Sequence, residues 1–337
     1  MCRRNDGRAA PSPLAPTDSE RSGIREARRS AADRGVAHFE RRRSLSYSLR
    51  VSTRAYEAIV LDLDGTLVSD DGHVRPRVRE RLRLAMDAGV TVMVATGRSE
   101  LACRDVVREL GVAVPAIVYN GAGLWCPKSG DLLEERLLSN RAVERTYAAV
   151  RDLGLCAVVM SKGAKVAEPP SSPHFHAAVA TMQGLEYRPF SAFPTEYVIR
   201  ITLMSDRHTD SAAFERDIER ALDVPVYLTH FPLDALAPHR GSPLQVVDVQ
   251  PPCRGKGEAL RWLEESLGIP AARVVAVGDA GNDVPMFERA GLAVCMANAL
   301  EPARRAAHRV IGSCNTDAIA DLVDELFLAH APTAVRR

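Results

Sequence analysis

The residues most suited to chemistry are two aspartates that follow a short apolar stretch. Asp62 and Asp64 stand two positions apart, and the residues from Ala58 to Leu63 are otherwise apolar. This stretch does not alternate with polar residues, which is typical of a strand buried on both faces of a parallel sheet. Two carboxylates at the end of such a strand repel each other unless a cation lies beside them, and Mg²⁺ prefers oxygen ligands. The alternative is a strand that ends in a solvated Asp-Gly turn.

Other polar residues of matching chemistry occur at the ends of further predicted elements. They are Thr96, Asn120, Asp279 and Asp283, each in a segment that follows a predicted buried strand, and Lys256, at the start of a predicted helix. Ligands bind beyond the carboxyl ends of the strands in an open parallel sheet, and helix N-termini favour anions. The combined set suits a magnesium ion that holds a phosphate, with one carboxylate free to attack phosphorus.

Strands and helices that alternate with short links must position these residues. Apolar runs predict buried strands at 58–63, 90–95, 116–119, 274–277 and 293–296. Helices are predicted between them, among them 76–88, 99–110 and 255–267. This alternation predicts an α/β fold with a doubly wound parallel sheet.

The rhythm changes between residues 124 and 243, where strands occur in neighbouring pairs with helices between them. This pattern favours an inserted α+β cap domain with a largely antiparallel sheet. Pro251 and Pro252 then mark the return to the first domain. The predicted organisation is an N-terminal extension at 1–54, a discontinuous core at 55–123 and 244–330, the cap at 124–243 and a tail at 331–337.

Composition describes an ordinary globular protein. The 337 residues are 46% hydrophobic and 26% charged, and the net charge of +1 gives no overall field that favours nucleic acid or a membrane. No apolar run reaches the length of roughly 18 residues that a membrane span needs. The seven cysteines form no C-x-x-C pair, so reduced thiols and a cytoplasmic location are expected.

Residues 1–54 differ from the rest of the chain. They contain 13 arginines against 6 acidic residues and few large apolar side chains. Such a segment cannot bury enough apolar surface to offset its ordering entropy, which predicts a disordered basic extension. It lacks the apolar core of a secretory signal, and its acidic residues count against an organelle transit peptide. RNA binding by this basic segment is the remaining alternative.

Four motifs, taken together, resemble the haloacid dehalogenase superfamily of phosphatases. They are D-x-D-G-T-L at 62–67, A-T-G-R at 95–98, G-K-G at 255–257 and G-D-x-x-N-D at 278–283. Their order is similar to that of the Cof-like group, in which a large cap is inserted between the second and third motifs. The resemblance covers about residues 56–328 and implies a Rossmann-like core with an inserted α+β cap.

The resemblance implies a role for each catalytic residue. Asp62 resembles the nucleophile that forms an aspartyl-phosphate, and Asp64 resembles the general acid that later activates water. Thr96 would donate a hydrogen bond to a phosphoryl oxygen, and Gly97 would let the backbone approach it closely. Lys256 would neutralise charge on the phosphoryl group, which is the main demand of phosphoryl transfer.

The resemblance also implies a metal site and several substrate contacts. Mg²⁺ would be held by Asp62, Asp279, Asp283 and the backbone carbonyl of Asp64. Further positions that match the family's motifs are Asn282, which would orient Lys256 or the phosphate, Asn120, which would lie near the substrate, and Arg98, which is either a substrate contact or a surface charge.

Within the predicted cap, few residues point to a substrate. Arg200 lies between apolar neighbours in a predicted strand, and His230, His239 and Arg240 lie in predicted loops. Each is a candidate for binding an anion of the leaving group, with a solvated or structural role as the alternative.

These patterns predict a Mg²⁺-dependent phosphatase that acts on small phosphorylated metabolites, such as sugar phosphates or phosphorylated cofactors. Two alternatives stay open. A phosphotransferase or mutase would share all four motifs and differ only in the group that accepts the phosphoryl. A non-catalytic scaffold or RNA-binding protein would act through the basic segment at 1–54. The expected partner is a small phosphorylated metabolite, with no nucleic acid and no membrane.

Overall fold

The structure is a computed structural model, and it describes residues 54–180 and 182–329. The predictions for the N-terminal extension, apart from Arg54, and for the tail at 331–337 lie outside the described residues. Among the described residues, every cysteine is free and no helix is long and apolar enough to cross a membrane.

The first part of the described chain alternates strands and helices as predicted. Its elements are β1 (Ala58–Leu61), α1 (Pro76–Asp87), β2 (Thr91–Val94), α2 (Glu100–Leu110), β3 (Ala116–Val118), β4 (Gly123–Trp125) and β5 (Leu132–Glu135). The bounds of α2 follow from its caps: the Ser99 side chain accepts from Ala102 N, and Gly111 ends the helix in a left-handed conformation.

The middle part contains paired strands with helices between them. Its elements are α3 (Asn140–Leu153), β6 (Cys156–Ser161), β7 (Ala164–Ala167), α4 (Pro173–Val179), β8 (Leu185–Tyr187), β9 (Arg200–Ser205), α5 (Ser211–Leu222), β10 (Tyr227–Pro232) and β11 (Gln245–Gln250). The last part contains α6 (Glu258–Leu267), β12 (Val274–Gly278), α7 (Val284–Phe287), β13 (Leu292–Cys295), α8 (Glu301–Ala306), β14 (Arg309–Val310) and α9 (Ala318–Val323), which continues into a π-helical turn at Asp324–Leu328.

Five parallel strands form the core sheet in the order β14-β13-β12-β1-β2. β1 lies between β12 and β2, and all four of its residues are buried. The lack of alternation in its sequence is explained by this position, since both faces of the strand are covered. The predicted α/β fold with a Rossmann-like core and a cap is therefore confirmed.

The third predicted strand of the parallel sheet behaves differently. β3 pairs in an antiparallel ladder with β4, which pairs with β5, and these three strands form a separate small sheet. The parallel contact of β3 lies just beyond β2, where Ala95 and Ile117 form a bridge and the Thr96 N–H donates to Ile117 O at 2.9 Å. The third predicted strand therefore lies parallel beside the end of β2, but it has only three residues and its longer ladder is the antiparallel one to β4.

The cap sheet has six strands in the order β10-β11-β9-β6-β7-β8 and is antiparallel except for the pair β7 and β8. β11 pairs on both sides within this sheet, although the sequence boundary at 244 assigned it to the core. Strand pairing therefore places the return to the core after Gln250, at Pro251 and Pro252. The boundary at 244 was wrong because β11 pairs with β9 and β10 of the insert.

The two faces of the cap sheet have opposite character. One face packs against α3 and α5 through apolar residues, among them Val159, Ile201, Leu203, Val247 and Val249. The other, called here the polar face of the cap sheet, carries Lys165, Arg200, Thr202, Thr229, Asp248 and Gln250 beside apolar residues that join the core cluster, among them Met160 and Val246. Successive residues in a strand point to opposite faces, so this division follows from the alternation in β9 and β11.

Candidate active site

The predicted site residues converge at the carboxyl ends of the core strands. Asp62 directly follows β1, Asp279 directly follows β12, and Thr96 lies two residues after β2. The Asp62 N–H donates to Val277 O at 3.0 Å, which continues the ladder between β1 and β12 to the start of the site. The sheet itself therefore brings these side chains together.

Lys256 joins two of the carboxylates. Its Nζ lies 2.7 Å from Asp62 Oδ1 and 2.6 Å from Asp283 Oδ1, and its side chain is fully buried. Burial disfavours the ammonium, but the charges of Asp283 and Asp62 outweigh this effect and raise its pKa above the ordinary value. The other Asp283 oxygen accepts from the N–H groups of Asp279 and Ala280 at 2.8 and 2.9 Å. Asp283 therefore holds Lys256 beside Asp62.

Negative charge accumulates around this lysine. Burial raises the pKa of Asp62 to about 7; Lys256 lowers it, and Asp283 and Asp64 raise it further. Burial also raises the pKa of Asp279 well above its ordinary value, with contributions from Asp62 and Asp283. One lysine does not neutralise three clustered carboxylates, so the site has room for a further positive charge.

The donor set fits a magnesium ion. Carboxylate oxygens of Asp62, Asp279 and Asp283 lie within 4.8 Å of one another. Asp62 and Asp279 each have one carboxylate oxygen without a hydrogen-bond partner among the described residues. Both oxygens of Asp283 have partners. Because Mg²⁺ needs only one or two protein carboxylates, Asp62 and Asp279 would hold it directly. The Asp64 carboxylate lies outside this cluster, and a role for its backbone carbonyl stays a prediction.

Gly65 makes the close approach of Asp279 feasible. Its φ is +72°, and a Cβ at this position would lie 2.2 Å from Asp279 Oδ2. Thr66 Oγ1 donates to the other oxygen of Asp279 at 3.1 Å. The Gly-Thr pair of the first motif therefore shapes the space on one side of the carboxylate cluster, where any side chain larger than hydrogen would block it.

The second motif forms a loop beside the cluster. The hydroxyl of Thr96 is fully buried and accepts from the Arg98 N–H at 3.0 Å, which leaves its own hydrogen available. A Cβ on Gly97 would lie 2.9 Å from Asn120 Oδ1. The same Asn120 oxygen accepts from Asn282 Nδ2 at 3.0 Å. Asn282 therefore donates to Asn120 and makes no hydrogen bond to Lys256, which contacts the carboxylates of Asp62 and Asp283.

Arg98 lies against Asp64. Its Nε donates to Asp64 Oδ2 at 2.9 Å, its Nη2 donates to Asp64 Oδ1 at 2.5 Å, and its Nη1 donates to Ala102 O at 3.2 Å. Two parallel bonds fix both the position and the plane of the carboxylate. The sequence offered a substrate contact or a surface charge for Arg98, and the structure shows it as the partner of the predicted acid/base residue.

The cap contacts this loop through residues that the sequence reasoning missed or undervalued. Arg200 Nη1 donates to Gly97 O at 2.5 Å, and its guanidinium lies 5.4 Å from the centre of the Tyr119 ring. Tyr119 and Asn120 both have positive φ, near +50°, a conformation that bulky residues rarely adopt. Asn120 Nδ2 also donates to Thr229 Oγ1 in the cap, at 3.3 Å.

A sequence signal for these cap residues exists. In β9 and β11, polar residues alternate with Ile201, Leu203, Val247 and Val249, which marks one face of the strands as polar. A cap sheet over a cleft must present one face to it, so the polar residues of the alternation are the candidates. Of the polar residues in β9 and β11, the sequence predicted only Arg200 as a candidate, since a face cannot be assigned to a site before the strand pairing is known.

Other candidates lie elsewhere. His230 contacts Ser211 and Glu215 of α5, on the face opposite the polar face of the cap sheet. Arg240 is exposed and donates to Asp234 O at 3.4 Å. Among residues 54–180 and 182–329, the aspartate cluster is the one group of three or more side chains placed to hold a metal, and His239 does not belong to it.

A family comparison identifies this arrangement. The model of the haloacid dehalogenase-like hydrolases matches residues 59–323, which include all four motifs. The chain belongs to this family. It is therefore an enzyme of the hydrolase class, and the recognition made from the four motifs is confirmed.

Individual relatives show the breadth of the family. The chain is 28% identical to pyridoxal phosphate phosphatase YbhA of Escherichia coli, over 79% of this chain and 96% of the relative. It is 24% identical to 5-amino-6-(5-phospho-D-ribitylamino)uracil phosphatase YwtE of Bacillus subtilis, over 80% and 98%. A solved phosphatase, BT1666 from Bacteroides thetaiotaomicron, shares the fold with a TM-score of 0.67 and 18% identity, over 83% and 99%.

Proposed function

We propose that this protein is a Mg²⁺-dependent phosphatase that hydrolyses small phosphorylated metabolites through a phosphorylated Asp62. The observation that carries the proposal is the cluster of Asp62, Asp279 and Asp283 around the buried ammonium of Lys256. Its relatives are named as phosphatases of small metabolites, which supports the substrate class. The proposed location is the cytoplasm.

The chain's own residues account for each bond change. A free oxygen of Asp62 attacks phosphorus, the bond from phosphorus to the leaving oxygen breaks, and Asp64 donates a proton to that oxygen. Water then attacks the phosphorylated aspartate, Asp64 takes a proton from it, and the bond between phosphorus and Asp62 breaks. Thr96 and Lys256 hold the phosphoryl oxygens throughout. Bound Mg²⁺ would supply the positive charge that lets a carboxylate approach a phosphate dianion.

The proposed division of labour follows the two large sheets. Residues 55–123 and 251–329 would perform the chemistry, since every residue used above lies there. The cap sheet, from β6 to β11, would choose the substrate, because its polar face contacts the Thr96–Gly97 loop and Asn120.

The proposal is tested by an activity measurement. The purified full chain is incubated with Mg²⁺ and 4-nitrophenyl phosphate, and then with a panel of phosphorylated sugars and cofactors. We expect release of inorganic phosphate that stops when the metal is chelated. Transfer of the phosphoryl group to an added alcohol, with no free phosphate, would instead indicate a phosphotransferase. No turnover of any ester would contradict the proposal and leave the non-catalytic alternative.

Magnesium is expected to stabilise the fold, and more so at higher pH. Because the pKa values of Asp62 and Asp279 are raised above the ordinary aspartate value, the metal-free fold loses stability as pH rises from about 4 to about 7 and these groups ionise. Millimolar Mg²⁺ should raise the Tm by about 5 °C near pH 8, a shift typical of a ligand well above its Kd. Near pH 5 the shift should be smaller, since protons compete for the same oxygens.

The variant Asp279→Asn should lose this shift at both pH values, and Asp87→Asn, an exposed change on α1, should keep it. Thermal unfolding followed by circular dichroism measures all three proteins. A Mg²⁺ shift that survives in Asp279→Asn would show that the ion binds elsewhere.

A further inference from the structure

Lys165 is a buried lysine with no hydrogen-bond or ion-pair partner among the described residues. It lies in β7 on the polar face of the cap sheet and is 4% exposed. Across residues 54–180 and 182–329, no hydrogen bond or ion pair to its ammonium is found. The described buried side-chain atoms that lack a partner belong to Glu100, Arg200, Gln250 and Asn282, so the Lys165 ammonium keeps some contact with solvent. A buried ammonium in this state is costly unless an anion comes to it.

Strand register places Lys165 in one row with Arg200. Met160 of β6 is the direct neighbour of Lys165 on one side and of Arg200 on the other, so all three side chains leave the same face of the sheet. Arg200 Nη2 also contacts Met160 Sδ at 3.1 Å. Two strand spacings separate Lys165 from Arg200, which is about 10 Å between their backbones.

Two contacts hold this row over the second motif and the start of α2. Arg200 donates to the carbonyl of Gly97, as described above, and the Gly163 N–H at the hairpin before β7 donates to Glu100 Oε1 at 2.9 Å. Lys165 therefore lies on the same face of the cap sheet as Arg200, which contacts the segment that carries Thr96.

No acidic residue of the described chain lies close enough to neutralise the positive charge of Lys165. Asp248 Oδ2 lies 3.3 Å from Arg200 Nη1 and balances that charge. Glu100 is the acidic residue that acts on Lys165, but the two form no ion pair within 4 Å. Burial lowers the pKa of Lys165, and Arg200 lowers it further while Glu100 raises it. The second oxygen of Glu100 is buried and has no hydrogen-bond partner among the described residues.

We propose that Lys165 is a specificity-determining residue that binds a second anionic group on the leaving group of the substrate, a carboxylate or a second phosphate. This inference rests on the proposed phosphatase function and names the substrate class that the cap selects. The competing explanation is a lysine paired with Glu100 through water, with no contact to substrate.

Matched substrate pairs test the inference. We compare 6-phosphogluconate with sorbitol 6-phosphate, which differ in a terminal carboxylate, and fructose 1,6-bisphosphate with fructose 6-phosphate, which differ in a second phosphate. The wild type should prefer the anionic member of one pair by about tenfold or more in kcat/KM, as expected for one charge-assisted contact. The pair that shows the preference identifies the anion.

Variants of the hairpin supply the controls. Lys165→Met should abolish the preference, mainly through KM, and keep 4-nitrophenyl phosphate turnover within about twofold. Lys165→Arg should retain the preference, and so should Lys162→Met, an exposed lysine of the same hairpin. Glu100→Gln keeps the acceptor for Gly163 and should retain or increase the preference.

The outcomes separate the two proposals. A preference that persists in Lys165→Met, no preference in either wild-type pair, or an equal loss on all substrates would overturn the role of Lys165 while the phosphatase function stands. If no ester is hydrolysed, the function fails, and the Tm shifts given by 6-phosphogluconate and sorbitol 6-phosphate still decide Lys165. The Tm shifts within the fructose 1,6-bisphosphate pair are compared in the same way. A larger shift from the anionic member of one pair in the wild type, lost in Lys165→Met, would support it, and equal shifts within both pairs would overturn it.

Discussion

Replacing Asp62 by asparagine is expected to abolish phosphatase turnover and to leave the fold intact. Asparagine has the same shape but lacks the negative charge that attacks phosphorus, so kcat should fall by at least about 10³-fold. The side chain is 4% exposed and contacts Lys256, so the change acts at the centre of the cluster. Release of inorganic phosphate from the best ester of the panel measures the effect.

The thermal stability of metal-free Asp62→Asn should not fall with its activity. Ionised Asp62 is disfavoured by burial and by Asp283, which its raised pKa reflects. Removing its charge should therefore leave the Tm of the metal-free protein unchanged or higher near pH 8. Asp87→Asn, at an exposed position, should change neither activity nor Tm. Full turnover in Asp62→Asn, with no deamidation detected by mass spectrometry, would contradict the assignment of the nucleophile.

The variant Asp64→Asn is expected to separate the two half-reactions. Nitrophenolate leaves without a proton, so Asp62 should still be phosphorylated by 4-nitrophenyl phosphate. Hydrolysis of the intermediate needs a base, so steady-state turnover should fall by about 10² to 10⁴-fold. Rapid mixing should therefore show a burst of about one equivalent of nitrophenolate before the slow phase. Substrates with alkyl leaving groups should show no burst.

Arg98→Gln tests whether the ion pair positions Asp64. The variant loses the two hydrogen bonds from Arg98 that hold the Asp64 carboxylate, at 2.5 and 2.9 Å. Residue 64 remains an aspartate, so only its positioning changes. Alkyl phosphates, which need a proton on the leaving oxygen, should lose about tenfold in kcat, and 4-nitrophenyl phosphate should lose less in its burst phase. Arg108→Gln, an exposed change on α2, the helix that follows Arg98, is the control. An equal loss on both substrate types would assign Arg98 to binding instead.

Much of the core could be predicted because its signals are local. β1 is apolar without alternation since both of its faces are covered, and Ser99 and Gly111 fixed the bounds of α2 through short-range hydrogen bonds and backbone conformation. The carboxyl ends of parallel strands meet at one edge, so Asp62 and Asp279 had to lie close together once the sheet was predicted.

Long-range pairing could not be predicted in the same way. β3 forms its longer ladder with a local hairpin and meets the parallel sheet only beyond β2. β11 joined the cap sheet across the expected boundary. Strand partners depend on contacts that one sequence does not encode locally. The partners of Arg98 and Asn282 were likewise open, since side-chain contacts between distant segments depend on how the loops pack.

The sequence by itself determined the fold class, the family and the residues of the four motifs, since each of these depends on residue type and spacing along the chain. The tertiary structure alone decided that Asp283 holds Lys256, that Arg98 pairs with Asp64 and that the cap turns a polar face with Lys165 toward the core. The physical reason is that a motif specifies which groups are available, while charge neutralisation and burial depend on which groups the folded chain brings within a few ångströms.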